Sequence, residues 1–259
     1  MDTFLFDSII IGPIHSRRLG TSLGVNLLAP NSKLCNFNCI YCECGWNRAQ
    51  GTGGFNPYDR VVSALEARLR TMADEGALPD VITFAGNGEP TMHPDFDRII
   101  DETLRLRDRY APQTKVAVLS NATMIDREAV REALSRVDRN ILKFDSAIDE
   151  TVRRINQPQN GRSVEQIIEL LQLFRGELVI QTMLLRGEYD GRRIDNTTPE
   201  EVTVYLDALG RISPREVMLY TIDRNTPADH LQKVSFEEME AIASRIRAFL
   251  PDTVTSVAR

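Results

Sequence analysis

Val81-Ile82-Thr83-Phe84-Ala85-Gly86-Asn87-Gly88-Glu89-Pro90-Thr91 is a short apolar run that breaks into a glycine-rich turn. Five residues are too few for a helix, and β-branched and aromatic side chains without polar alternation suit a strand buried on both faces. Glycines at the strand's end let the backbone approach a ligand closely, because they carry no Cβ. Glu89 adds an acceptor for an ammonium group. The plainer alternative is an ordinary turn ahead of a helix that begins near Pro94.

The same pattern recurs on both sides. Further strands are predicted at Leu23–Leu28, Lys115–Ser120, Asn140–Asp145, Leu178–Leu184 and Glu216–Thr221, most of them near-continuous apolar runs. Between them lie stripes with helical spacing, such as Phe96, Ile99, Ile100 and Thr103-Leu104, or Val164, Ile167, Ile168 and Leu171. Thr198-Pro199-Glu200-Glu201 reads as an N-cap, a first-turn proline and a capping-box Glu; Ser235 and Glu238 form a second box. Repeated β–α units impose right-handed crossovers and a parallel sheet. The expected fold is α/β, a partial (β/α)6 TIM-like barrel of parallel strands with a short N-terminal extension. One domain is expected over 1–259, with 1–21 the extension and 22–250 the barrel; a flat doubly wound sheet stays open as the alternative. Gly51-Thr52-Gly53-Gly54 reads as a loop ahead of the next helix. In such sheets ligands sit beyond the carboxyl ends of the strands.

All four cysteines lie between Cys35 and Cys44, in the loop after the first predicted strand. Disulfides in so tight a group would close very small loops and join nothing distant. In Cys35-Asn36-Phe37-Asn38-Cys39-Ile40-Tyr41-Cys42 the three thiolates can wrap one cubane and leave its fourth iron without a protein ligand. An open position is where a cofactor or substrate docks. The competing reading is a zinc knuckle with Cys44 as fourth ligand; structural zinc, however, usually joins separated cysteine pairs. Cys44 otherwise reads as a spare thiol.

The chain has 259 residues, 42% of them hydrophobic, with 31 Lys+Arg against 37 Asp+Glu and a net charge of −6. A sizeable core is affordable, and the acidic balance argues against a broad nucleic-acid-binding surface. There is no run of about 18 apolar residues, so no membrane span is expected. Met1-Asp2 starts a segment without the features of a signal peptide. A cytoplasmic protein is expected.

The order Cys-x3-Cys-x2-Cys, with Tyr41 just before the third Cys, resembles the signature of the radical S-adenosylmethionine (SAM) superfamily. That resemblance implies a [4Fe–4S] cluster on Cys35, Cys39 and Cys42, with Tyr41 against the adenine of SAM. The methionyl amine and carboxylate of SAM would chelate the fourth iron. One-electron reduction would then yield a 5′-deoxyadenosyl radical that abstracts hydrogen from substrate. Gly86-Asn87-Gly88-Glu89-Pro90 is similar to the family's Gly-Gly-Glu-Pro motif, which holds the methionyl amine, although Asn87 stands where the first paired glycine often lies. By the same resemblance Asn121 and Asp145 are candidate ribose or methionine contacts; a helix N-cap explains Asn121 as well, and a structural pair with Lys143 explains Asp145. Gln181, polar inside an apolar strand, needs a hydrogen-bond partner in SAM or in the core. Arg186 is a candidate for the SAM carboxylate or an acidic substrate group.

Gly12-Pro13-Ile14-His15-Ser16-Arg17-Arg18-Leu19-Gly20 and Tyr220-Thr221-Ile222-Asp223-Arg224 resemble segments of a small group of radical SAM proteins related to the wybutosine-synthesis enzymes that modify tRNA. Arg17, Arg18 and Arg224 are phosphate or carboxylate ligands or salt-bridge partners. His93 and His230 read as structural or surface residues, and Trp46 as packed beside the cysteine loop. The resemblance implies a one-electron donor such as a flavodoxin or ferredoxin. Its substrate stays open between tRNA, a partner enzyme made into a glycyl radical, and a small molecule. A zinc or iron–sulfur protein of regulation or electron transfer, without SAM chemistry, is the alternative of another class.

Overall fold

The computed structural model describes residues 4–16, 19–30, 32–47 and 54–258. Arg17, Arg18 and residues 51–53 of the glycine stretch lie outside them. Among the described residues ten strands form one open sheet. Its main path is β1 (Ile10–Ser16), β2 (Gly20–Val25), β3 (Val81–Phe84), β4 (Lys115–Ser120), β5 (Arg139–Lys143), β6 (Val179–Tyr189), β8 (Glu216–Thr221) and β10 (Val254–Val257). From β2 to β10 every pairing on this path is parallel; β1 pairs antiparallel with β2. The short strands β7 (Arg192–Asp195) and β9 (Leu231–Lys233) pair antiparallel with the long outer half of β6.

Six helical connections join the parallel strands: α1 (Tyr58–Asp74), α2 (Phe96–Tyr110), α3 (Glu128–Arg136), the pair α4 (Asp149–Ile155) and α5 (Val164–Gln172), α6 (Pro199–Ile212) and α7 (Phe236–Phe249). The expected six units are therefore present, and β10 adds a seventh parallel strand beyond them. The sheet curls as an open barrel, because β1 and β10 end the path without pairing to each other.

The apolar runs are uniform because both faces of each strand are buried in different cores. Ile82, Phe84, Val116, Val118, Leu142, Ile180, Val217 and Leu219 face outward to the helices. Val81, Ala117, Ile141, Val179 and Met218 alternate with them and fill the barrel interior. The same period of two carries the inward series upward to Leu119 and Asn121, Lys143, Gln181 and Met183, and Tyr220, which line a cavity at the carboxyl ends.

Helix starts follow the sequence with one correction. Ser163–Gln166 and Ser235–Glu238 are complete capping boxes ahead of α5 and α7. Thr198 caps α6 by accepting from Glu201 N. The Glu201 carboxylate does not return to that cap. It is buried beneath the barrel rim, where it accepts from Ser146 Oγ at 2.7 Å and from Thr151 Oγ1.

Candidate active site

The cysteine loop is shaped by main-chain and amide bonds. Asn47 Nδ2 donates to the carbonyls of Cys35 and Phe37 at 2.7 and 2.8 Å, and Asn47 N donates to Asn38 Oδ1 at 2.8 Å. Asn38 N and Ile40 N donate to the carbonyls of Asn156 and Ile155, at the end of α4. The start of the loop is clipped to the turn after β3: Leu34 N donates to Asn87 O at 2.9 Å, and Glu89 N to Leu34 O at 3.0 Å. Gly88 makes this approach possible, since its φ is +144° and a Cβ there would lie 1.8 Å from Leu34 O.

Cys35, Cys39, Cys42 and Cys44 consequently share the wall of one cavity of about 290 Å³ with Tyr41, Gly86, Gly88, Glu89, Asn121, Lys143 and Gln181. Asn121 Nδ2 and Asn156 Nδ2 each lie 3.5 Å from a sulfur, of Cys35 and Cys39 respectively. Burial pushes the Cys35 thiol up, and the Cys39 thiol up to about 11. Cys42 is pulled down to about 5 by its hydrogen bond with Cys44, against burial, while the same bond pushes Cys44 up. Among the described residues no three His, Cys, Asp or Glu side chains gather tightly enough to hold one metal ion. An all-sulfur donor set spread around a cavity, with amides directed at two of the sulfurs, fits a polynuclear iron–sulfur cluster better than a mononuclear centre.

Glu89 is buried, and burial raises its pKa against four donors. Oε1 accepts from Thr91 N, Thr91 Oγ1 and Ser120 Oγ, and Oε2 from Asn121 N at 2.7 Å. Asn121 is not a helix cap; its Oδ1 accepts from Thr123 N in a turn well before α3. Tyr41 donates its hydroxyl to Asp145, and burial and that carboxylate raise the phenol's pKa. Asp145 thus backs Tyr41 from outside the cavity wall, accepting also from Asn156 Nδ2 and Met183 N. Lys143 Nζ stands 5.1 and 5.4 Å from the ring centres of Tyr41 and Tyr220, donates to Tyr220 Oη at 2.8 Å, and lies 3.8 Å from Asp145. Burial works against its charge, but the Asp145 carboxylate and Tyr220 outweigh it and raise the ammonium's pKa.

Three predicted site residues do not line the cavity: Asp145, behind Tyr41, and also Asn87 and Arg186. Asn87 turns away from it: Oδ1 accepts from Phe6 N, and Nδ2 donates to Phe6 O and Ala29 O. The departure from paired glycines is thus a clasp on the N-terminal segment. Asn87→Ala is expected to cost about 1–3 kcal/mol, the price of orphaned buried backbone groups, and to free residues before β1 for proteolysis. N-terminal protection equal to wild type in limited proteolysis would reject the clasp. Arg186 lies on the outer half of β6, bonded to Thr197 Oγ1 and paired with Glu238 at 2.8 Å. Arg224 lines the cavity mouth and pairs with Glu43 at 2.8 Å. His93 is buried between Asn56 O and Asp95 N, exposed His230 occupies a left-handed turn, and Trp46 packs against Tyr189 beside the loop with the rings tilted by 34°. Sequence reasoning missed Asn156 and the placement of Lys143; only the inward alternation along β5 could have found the latter.

The family model described as the Radical SAM superfamily matches residues 32–197. A UPF0026 protein of Synechocystis sp. is 34% identical over 224 residues, which cover 84% of this chain and 77% of that protein. A protein of Brachyspira hyodysenteriae named GTPase Obg is 30% identical over 237 residues, 89% of this chain and 32% of that one, so the chain spans about a third of its length. Among solved structures, a radical SAM methyltransferase from Sphaerobacter thermophilus superposes with a TM-score of 0.66 at 16% identity, over 91% of this chain and 65% of that one. An archaeal TYW1 gives 0.53 at 14% identity, over 88% and 71%. Likenesses at such identity concern the fold alone.

Proposed function

The chain belongs to the radical SAM superfamily and to the UPF0026 family, and on that footing we propose that Cys35, Cys39 and Cys42 hold a [4Fe–4S] cluster beside a SAM site in the cavity. Membership of the superfamily indicates an enzyme and implies an iron–sulfur cluster and SAM. The observation that carries the fuller reading is the shared cavity: three thiols from one loop face the turn of Gly88 and Glu89 across it. Cluster and SAM together, given one electron, supply a 5′-deoxyadenosyl radical that removes hydrogen from substrate.

The chain's own residues have separable tasks. Gly86 and Gly88 let the turn close against Asn26 and Leu34, and Glu89 Oε2, with a single described bond from Asn121 N, keeps capacity for the methionyl ammonium. Tyr41, held by Asp145, presents a fixed face to the adenine. Gln181 and Lys143 add a polar amide and a cation to the same wall. Apolar Met183, Leu119 and Ile222 help keep water from a reactive radical. A flavodoxin- or ferredoxin-type donor and a cytoplasmic setting belong to the same proposal. No helix among the described residues is long and apolar enough to cross a membrane.

Anaerobic reconstitution tests the reading. About four irons and four sulfides per chain, with 5′-deoxyadenosine released on adding dithionite and SAM, are expected. Zinc in place of iron, with no deoxyadenosine, would overturn it. Binding of tRNA that weakens steeply with salt would select the tRNA-modifying role; no binding at low salt would remove it.

A further inference from the structure

We propose that Asn156 is a positioning residue that sets the reducibility of the cluster, through the bond from its side-chain amide to the sulfur of Cys39. The inference rests on the cluster reading above. Asn156 follows the last residue of α4 and is 2% exposed. Three acceptors lie within reach of the two hydrogens on its Nδ2, so that one hydrogen is shared: Asp145 Oδ2 at 2.7 Å, Tyr41 Oη at 3.0 Å and Cys39 Sγ at 3.5 Å. Their chemistry orients the amide, since the reversed rotamer would set a carbonyl oxygen against a carboxylate.

The loop has holds on α4 besides this side chain. The loop is tied to α4 by main-chain bonds, Asn38 N to Asn156 O and Ile40 N to Ile155 O. Those bonds survive any substitution at 156. What the amide adds is a donor at a buried sulfur, where the low dielectric strengthens its effect. An electron added to a cluster raises the negative charge on its sulfurs, and an N–H directed at one of them favours the reduced form. The amide also stands between that sulfur and Asp145, whose carboxylate would otherwise oppose the added charge. Tyr41 contributes to the same screening by spending its hydroxyl proton on Asp145. Asn121 is the counterpart on Cys35.

The test is an EPR-monitored redox titration of the reconstituted full chain, wild type against Asn156→Ala and Asn156→Asp. Both variants are expected to take up iron as wild type does and to show a more negative midpoint. Poised at the wild-type midpoint, their reduced-to-oxidised ratio should fall about tenfold, which is about 59 mV for a one-electron couple. An unchanged midpoint in an iron-loaded variant overturns the proposal and leaves the cluster reading intact. A wild-type chain that takes up no iron removes the cluster reading itself. Should neither variant load while wild type does, the proposal is overturned, because the side chain then shapes the loop rather than setting its potential.

Discussion

Gly88→Ala is expected to destabilise the folded chain by at least about 3 kcal/mol and to impair its uptake of iron. The added Cβ would sit 1.8 Å from Leu34 O and 2.5 Å from Leu34 C, both backbone atoms. Leu34 cannot step aside, because its N–H and C=O are bonded to Asn87 O and Glu89 N. The backbone at +144° adds its own penalty, of order 1–3 kcal/mol for a side-chain-bearing residue. Separating the two loops gives up both hydrogen bonds, each about 1–3 kcal/mol where buried. A loss of at least about 3 kcal/mol is therefore expected by equilibrium urea unfolding. Gly54→Ala is the control: nothing lies within 4 Å of its Cβ, and its effect should stay within about 0.5 kcal/mol. A Gly88→Ala chain that unfolds like wild type and loads iron would mean the two loops do not meet as described.

Asp145→Ala is expected to rank next. Its side chain is wholly buried and joins the Tyr41 hydroxyl, the Asn156 amide and Met183 N, with the Lys143 ammonium at 3.8 Å. Alanine orphans those donors and leaves a buried cation without its counter-charge, a loss of about 3–5 kcal/mol for such a broken pair. The pH dependence gives a second signature. Native Lys143 has a raised pKa, so its contribution is complete below the ordinary lysine value and fades only above it. In the variant, burial acts unopposed by Asp145 and should drive that pKa below the ordinary value of about 10.4. Between the two values the unfolded chain binds the extra proton, so the variant should regain stability as pH rises. Melting temperatures from pH 7 to pH 10 check this; a deficit that stays constant or widens would show that Lys143 does not depend on Asp145.

Much of the barrel could be read from the chain because each parallel strand is buried twice. Lys115–Ser120 and Glu216–Thr221 have the same bounds in sequence and structure. The strands that were missed lack that signal. β7 is Arg192-Arg193-Ile194-Asp195 and β9 is Leu231-Gln232-Lys233, largely exposed and paired only with the outer half of β6. β1 is interrupted at Gly12-Pro13, and its register shifts between Ile11 and Ile14. The cysteine loop and Glu89 stood out because their chemistry is local and rare. Asn156 did not, since Ile155-Asn156-Gln157-Pro158 looks like any helix end; its partners Cys39 and Tyr41 lie 117 and 115 residues away. Asn87 was legible as a departure from a pattern, but its partner Phe6 is 81 residues distant.

The clips of Asn47, Leu34 and the end of α4 on the cysteine loop bear on damage and repair. An iron–sulfur centre that touches oxygen is stripped, and a loop shaped by metal alone would collapse with it. Here the loop keeps its outline through amide and main-chain bonds that contain no metal. Those bonds do not depend on metal, so a loop stripped of the proposed cluster is expected to accept iron and sulfide again without refolding.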